Sequence, residues 1–385
     1  MKAKYEIKCS ILGPDPGMDK QVKILKRTLR WTPRGIEYEA DQKHAKIIIK
    51  ACGVENGKVS RVPGAKRSGG IEDQNAKNRF KEGAKNRFKE GAQNAEREEV
   101  FSVGRAGAGE VSAVSEVKEW ELLSPAEATI YRAVTARLNY LAADRADLQY
   151  ASKCHSTGMA KPTVEDWDLI KKTARYLKYR PRMVQLFKFE SGSSVLHGFA
   201  DSDWAGERPS MKSTSGGALV WGTSLLKSWS ITQSTIATST AEAELYAMAR
   251  CAQQALGLAS LARDFGVELS ARVHSDASAA IGVALRAGLG GRMRHVKVQY
   301  MWIQEAVATK EIDLKKIKTD LNPADIFAKF LACEILDTHL KYLCLRFPER
   351  PKDPVESQAE QMRLFAKHVG LAERHREWLL TSRTG

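Results

Sequence analysis

No two of the six cysteines, Cys9, Cys52, Cys154, Cys251, Cys333 and Cys344, form a Cys-x-x-Cys pair. Structural zinc sites are built from such closely spaced thiols, so none is expected. The cysteines read as reduced, mostly buried thiols of an intracellular protein. No apolar run approaches the roughly 18 residues that a membrane helix needs. The opening residues, Met1 to Ile7, lack the apolar stretch of a secretion signal. The expectation is a soluble protein, cytoplasmic or nuclear, neither secreted nor membrane-bound. Positive charge, in contrast, is abundant. Sixty-one Lys and Arg face 46 Asp and Glu, a formal net charge of +15. Such a surplus suits a polyanionic partner, because basic groups release counterions from phosphates; solubility alone is the plainer explanation.

The 385 residues are enough for two or three domains. Residues 1–52 read as a small α+β segment. Leu25–Trp31 and Ile36–Tyr38 suit a hairpin across the turn at 32–35. Asp41 suits the cap of a helix through Ala45, Ile48 and Ile49, closed by Gly53. Residues 53–117 change character and contain an exact tandem octapeptide, Ala76–Gly83 followed by Ala84–Gly91. Two copies are too few for a solenoid, so a low-complexity flexible linker is expected. Residues 118–190 read as helices. Ser124-Pro-Ala-Glu127 is a capping box, and Trp167, Ile170, Ala174 and Leu177 form an apolar stripe. The surrounding Lys171, Lys172, Arg175, Lys178 and Arg180 suit either a nucleic-acid backbone or a solvated face. Residues 191–332 alternate strand and helix and are expected to form one domain. Its strands are Leu196–Ala200, Gly217–Trp221, Leu226–Ser230, Arg272–Ser275 and Ile312–Ile317. Its helices are Thr240 to about Phe265, one from Ser278, Val296–Ala308, and one opened by Pro323. The pattern implies α/β architecture, a mixed five-stranded sheet flanked by helices. Residues 333–385 suggest one or two further helices, around Leu340, Leu343 and Leu345 and then Gln361, Leu364 and His368.

Four carboxylates fall at the edges of these elements. Asp201 follows the first strand, Glu244 lies in the first turns of the long helix, Asp276 ends the fourth strand, and Asp325 opens the last helix. Glu244 shares its helical azimuth with Met248, Cys251, Ala255 and Leu258, so it continues an apolar stripe. A carboxylate held inward is costly unless it is paired or binds a cation. Neighbouring Glu242 suits a capping box with Ser239. Converging acids answer a particular chemical need. Phosphodiester hydrolysis develops charge on the attacking water and on the leaving oxygen, and two hard divalent cations stabilise both. Each acid also has an ordinary explanation: turn residues for Asp201 and Asp203, a helix cap for Asp276, a helix-start carboxylate for Asp325. Four together at these positions favour a metal site.

The same stretch carries a resemblance. His197-Gly-Phe-Ala-Asp-Ser-Asp-Trp-Ala-Gly206, Lys212-Ser-Thr-Ser-Gly-Gly217, Ser228-Trp-Ser230 and Gln233-Ser234 come first. Ser239-Thr-Ala-Glu-Ala-Glu-Leu-Tyr-Ala-Met248, His274-Ser-Asp-Ala-Ser-Ala-Ala-Ile281, Arg294-His-Val-Lys-Val-Gln-Tyr300 and Asn322-Pro-Ala-Asp-Ile-Phe-Ala-Lys329 follow. In order and spacing they resemble the ribonuclease H domain of copia-type LTR retrotransposon Pol polyproteins. Residues 118–190 resemble the end of the reverse transcriptase in such polyproteins, and residues 1–52 the segment before it. The resemblance implies a ribonuclease H-like fold, with Asp201, Glu244, Asp276 and Asp325 as both catalytic and metal-binding residues. It implies two Mg²⁺ ions, with Mn²⁺ as a substitute, and an RNA/DNA hybrid as partner and substrate. It implies hydrolysis of the RNA strand, leaving a 3′-hydroxyl and a 5′-phosphate. Ser202, Ser213, Thr214, Ser215 and Gln233 are candidate substrate contacts. No Tyr-x-Asp-Asp motif occurs, so polymerase activity is not expected. The stretch 319–323 has no histidine of the kind some cellular ribonucleases H use near product release. Two alternatives remain open. One is an inactive retroelement remnant that only binds nucleic acid. The other is an integrase-like nuclease, disfavoured because such sites end on Glu where this one ends on Asp325.

Overall fold

The computed structural model describes residues 9–67, 122–189, 193–207, 210–288, 295–296 and 298–348. Residues 1–65 and 123–385 cluster as one compact unit, and the second unit, 66–122, lies almost entirely outside the described residues. The octapeptide repeat and the helix expected around Gln361–His368 also lie outside them.

The first strands form as the turn chemistry predicts. Strands β1 (Gln21–Ile24), β2 (Arg27–Thr32) and β3 (Gly35–Glu39) pair antiparallel in sequence, Thr32 opposite Gly35. The Thr32 hydroxyl donates to the Gly35 carbonyl at 2.8 Å. Gly35 has φ of +151°, and a Cβ there would strike the Phe187 carbonyl oxygen, so only glycine serves. Phe187 belongs to β4 (Val184–Lys188), which pairs with β3 on one side and with β10 (Leu345–Arg346) on the other. Leu345 therefore sits in a strand, not in a helix continuing from Leu340.

Three helices and α1 pack into one apolar core. Helix α1 (Lys43–Ala51) is not capped by a side chain at its Gln42 boundary; Asp41 instead accepts from the Lys43 amide at 3.0 Å. Helix α2 (Pro125–Ala142) begins with the complete Ser124/Glu127 capping box. Helix α3 (Gln149–Thr157) follows, then α4 (Val164–Tyr179), opened by a second box of Thr163 and Asp166. Ile170, Ala174 and Leu177 of α4 meet Ile48 of α1 and Tyr131 and Leu138 of α2, with Trp167 at the edge. The stripe is therefore core, as its spacing predicts. Arg180, read as part of a basic face, is instead buried; its guanidinium pairs with Asp337 and lies over the Phe347 ring. Burial with a carboxylate and an aromatic face is a common use of arginine's flat cation.

The second sheet carries the acids. β5 (Val195–Glu207), β6 (Lys212–Trp221) and β7 (Ser224–Thr232) are antiparallel, and β8 (Ser270–Ser275) and β9 (Ile312–Lys316) add in parallel. The strand order is β7-β6-β5-β8-β9. Helix α5 (Thr240–Asp264) covers one face, where Ala243, Ala247, Ala252 and Ala255 allow close approach to Leu196, Leu219 and Val273. The opposite face buries Phe199, Ala218 and Val220 against Phe327 and against Leu336 and Leu340 of helix α8 (Cys333–Tyr342). Helices α6 (Ser278–Ala284) and α7 (Trp302–Ala308) join the α5 face, where Ala280, Val283, Ile303 and Ala306 enter the same core. This is the mixed five-stranded sheet flanked by helices that the sequence predicts, a ribonuclease H-like fold.

Several boundaries differ from expectation; β6 begins at Lys212 and not at Gly217, and β7 spans Ser224–Thr232. β5 does not stop at Ala200 but runs on to Glu207, because its ladder with β6 continues through Asp201–Gly216, Ser202–Ser215 and Asp203–Thr214. Backbone pairing does not need apolar side chains, so the pattern ended before the strand did. Pro323 opens a 3-10 helix, Pro323–Phe327, not an α-helix. Val296–Ala308 is not one helix: a 3-10 turn at Val298–Tyr300 precedes α7.

Candidate metal centre

Three elements deliver the acids to one point. Asp201 comes from the middle of β5, Glu244 from the first turns of α5, and Asp276 from just beyond β8. One carboxylate oxygen from each lies within 4.8 Å of the others, a grouping that could hold a metal ion. Asp325 arrives on the 3-10 helix Pro323–Phe327. Two features hold that turn against the sheet. Asn322, fully buried, donates from Nδ2 to the Ala200 carbonyl at 2.9 Å and accepts from the Ala324 amide at 3.2 Å. Gly216 of β6 lies beneath the turn; a Cβ there would stand 2.7 Å from the Phe327 carbonyl carbon and 2.9 Å from the Ala328 nitrogen. The Gly216 of the sequence motif is thus a space kept open for the backbone that carries Asp325.

The electrostatics of the cluster are those of acids lacking enough positive charge. Asp201 is 2% exposed and Asp325 6%. Burial, and then the neighbouring Asp325 carboxylate, hold Asp201 well above the usual carboxylate range. Burial and then Asp276 raise Glu244 to about 7, against which the Ser202 amide hydrogen bond of 3.3 Å works weakly. Asp325 is also raised, chiefly by burial, with Lys329 opposing. Lys329 Nζ stands 3.4 Å from Asp201 Oδ2 and 3.2 Å from Asp325 Oδ1. Burial works against its charge, yet the two carboxylates prevail and its pKa is raised. Asp201 Oδ2, Glu244 Oε2 and Asp325 Oδ1 are buried and accept no well-aligned hydrogen bond from the described residues. Three buried acid oxygens, two of them sharing one ammonium, suit hard-cation ligation, because such ions take oxygen donors and cancel the mutual repulsion.

The nearby carboxylates that share these motifs have other partners. Asp203 accepts from the Thr214 amide and from the Tyr150 hydroxyl, the latter at 3.4 Å. Glu242 does not complete a capping box with Ser239. Ser239 accepts from the Glu242 amide, but the Glu242 carboxylate bonds the Thr238 amide and hydroxyl, His295 Nε2 and the Tyr246 hydroxyl. Burial opposes its charge, and the Tyr246, Thr238 and His295 bonds outweigh it, keeping Glu242 below the usual range. Asp276 does not cap α6, whose boundary residue Ala277 has no side-chain cap.

The candidate substrate contacts are buried beside the acids. Ser213 Oγ accepts from the Ala205 amide at 3.0 Å and Thr214 Oγ1 from Lys153 Nζ at 2.9 Å. Gln233 Nε2 donates to Ser215 Oγ at 3.0 Å and to the Ala243 carbonyl at 2.9 Å. Ser215 and Gln233 nonetheless line a cavity of about 330 Å³, with Ser234, Tyr246, Arg250 and Tyr300. Ser202 is buried next to Asp201, its amide on Glu244. Sequence patterning had not singled out Lys329, Asn322 or Gly216 for a role. Each lies inside a motif already noted, and the spacing of Lys329 four residues after Asp325 was the available signal.

A ribonuclease H-like sheet with clustered acids defines the class of protein. No protein-family model matches the chain. It is 29% identical over 206 residues to the retrovirus-related Pol polyprotein from transposon RE2 of Arabidopsis thaliana, covering 53% of this chain and 14% of that protein. It is 29% identical over 208 residues to the corresponding polyprotein from transposon TNT 1-94 of Nicotiana tabacum, covering 52% and 15%. The secreted RxLR effector protein 161 of Plasmopara viticola is 31% identical over 129 residues, 33% of this chain and 88% of that protein. About half of the chain is thus similar to retrovirus-related Pol polyproteins from copia-type transposons. It spans about one seventh of the length of the transposon polyproteins it matches. No helix among the described residues is long and apolar enough to cross a membrane.

Proposed function

We propose that this chain is a metal-dependent endonuclease that hydrolyses the RNA strand of RNA/DNA hybrids. The observation that carries the reading is the convergence of Asp201, Glu244 and Asp276 within 4.8 Å. The likeness of half the chain to retrotransposon Pol polyproteins supports it, since an element copied through RNA must dispose of the template strand. Asp201, Glu244 and Asp276 would hold one divalent ion, and Asp201 with Asp325 a second. Bound Mg²⁺ supplies Lewis-acid stabilisation at both oxygens of an in-line displacement. The protein's own groups do the rest. The four carboxylates would fix the ligand geometry, and Asn322 and Gly216 set the height of Asp325 over β5. Ser215 and Gln233, which line a cavity of about 330 Å³, are the contacts this reading gives to the hybrid, whose recognition rests on groove shape and 2′-hydroxyls more than on base edges. The basic surplus supplies non-specific attraction to the backbone.

The test is cleavage of end-labelled hybrid, duplex DNA and duplex RNA by the full chain in Mg²⁺ and in chelator. The expected result is cutting of the RNA strand of the hybrid alone, abolished by chelation. Binding without cutting in any metal would instead establish the inactive, nucleic-acid-binding remnant. Cutting of duplex DNA in preference to hybrid would point to an integrase-like nuclease.

A further inference from the structure

The four acids do not form one symmetrical cluster. Asp201, Glu244 and Asp276 share a single three-oxygen grouping, and Asp325 is not part of it. Asp325 instead faces Asp201 across a cation, the Lys329 ammonium, at 3.2 Å and 3.4 Å. The two oxygens that meet this ammonium are buried and take no well-aligned hydrogen bond from the described residues. Among the described residues, Lys329 is the cation that serves both oxygens. The placement of Lys329 is built in: its amide donates to the Asp325 carbonyl at 3.0 Å, so the 3-10 turn that presents Asp325 also presents Lys329 on the same face. Its side chain is 32% exposed, whereas the Asp201 side chain is 2% exposed. The ammonium thus has a route to solvent that the carboxylates lack, on a flexible four-carbon stem.

Building on the metal-dependent reading above, we propose that Lys329 is a resident cation in the second metal seat. The protein then loads one divalent ion on Asp201, Glu244 and Asp276. It admits another at Asp201 and Asp325 only when the lysine swings out. One ammonium so held also keeps Asp201 and Asp325 together in the metal-free protein, where two adjacent buried carboxylates would otherwise repel. The two ion seats are accordingly unequal, and the inequality is set by a side chain that is not a ligand.

The proposal is tested by calorimetric titration of the full chain with Mn²⁺, without nucleic acid, for wild type, Lys329→Met and Lys329→Arg. The wild type and Lys329→Arg are expected to take up one ion tightly and a second weakly. Lys329→Met is expected to bind the second ion on the order of 10–100-fold more tightly, the scale on which side chains that are not ligands alter metal affinity, here with the opposite sign because the lysine competes for the seat. The same second affinity in wild type and Lys329→Met overturns the lysine's role and leaves the metal centre standing. Tight binding of both ions by Lys329→Arg overturns it as well. No Mn²⁺ uptake by any of the three overturns the metal centre itself and the inference with it. Should Lys329→Met not fold, acylation of Lys329 in the wild type, read by peptide mass spectrometry, decides the matter. Its rate should rise only as Mn²⁺ goes beyond one equivalent; a rate indifferent to Mn²⁺ overturns the proposal.

Discussion

Glu242 and Glu244 stand two residues apart on one helix and have opposite environments. Glu242 is held by four hydrogen bonds and sits below the usual carboxylate range. Glu244 is raised from 4.5 to about 7 by burial and then by Asp276. A raised acid binds more protons in the folded than in the unfolded state between those two values. Metal-free stability should therefore fall as pH rises from about 4.5 to 7, the window set by Glu244. A cation needs the deprotonated form, so Mn²⁺ affinity should climb through the upper end of the same window. Thermal unfolding in chelator and Mn²⁺ titration at several pH values check both slopes, and Glu244→Gln should flatten them. Affinity independent of pH from about 6 to about 8, roughly one unit either side of the Glu244 value, would contradict the assignment. The inward aim of Glu244 was legible in the sequence, because a helical stripe needs only local spacing. Asn322 was not legible as a clamp, because its partner Ala200 lies 122 residues away. Nor did any local pattern say that Lys329 would reach Asp201 as well as Asp325.

Among the elements, the 3-10 turn Pro323–Phe327 matters most, since it alone sets where Asp325 stands. Gly216→Ala should lift that turn, because the new Cβ meets the backbone of Phe327 and Ala328 and not a yielding side chain. Overpacking of this kind costs about 1–3 kcal/mol, and hybrid cleavage should drop by more than the loss of folded protein explains. Gly257, in α5, is the control: nothing lies within 4 Å of its would-be Cβ. Gly257→Ala should be neutral or stabilising by about 0.5–1 kcal/mol, as for an exposed helical glycine. Denaturant unfolding and cleavage rates of the two variants check this; equal effects would mean the turn does not rest on Gly216. The elements themselves were mostly visible in the sequence, because five strands and the long helix have clear periodicity. Their ends were not. The polar half of β5, from Asp201 to Glu207, is a strand because β6 pairs with it, which no side-chain pattern announces. The two-residue β10 was equally hidden, being too short for any period and dependent on β4.

At the scale of the whole molecule, one described unit holds two sheets, an acidic centre and a net charge of +15 on the full chain. The charge belongs to the partner side of the account. Hybrid binding should weaken steeply with salt, with a clearly negative slope of log affinity against log salt. A flat response in a filter-binding or anisotropy series would place the basic surplus away from the interface. The likeness to Pol polyproteins was legible in the sequence because eight motifs keep their order, even though the chain spans only about one seventh of the polyproteins it matches. The central claim is that the convergent carboxylates are the machinery of hybrid hydrolysis and not part of the scaffold. Glu244→Gln tests it most directly, since among the described residues Glu244 bonds to Ser202 and forms no ion pair whose loss would strand a buried cation. Wild type and variant should be compared for Mg²⁺-dependent cleavage of a labelled RNA/DNA hybrid and for thermal unfolding in chelator. The account predicts cleavage lower by orders of magnitude with a melting temperature equal or higher. A variant that cuts at the wild-type rate, or that melts far earlier yet still cuts once folded, would contradict it.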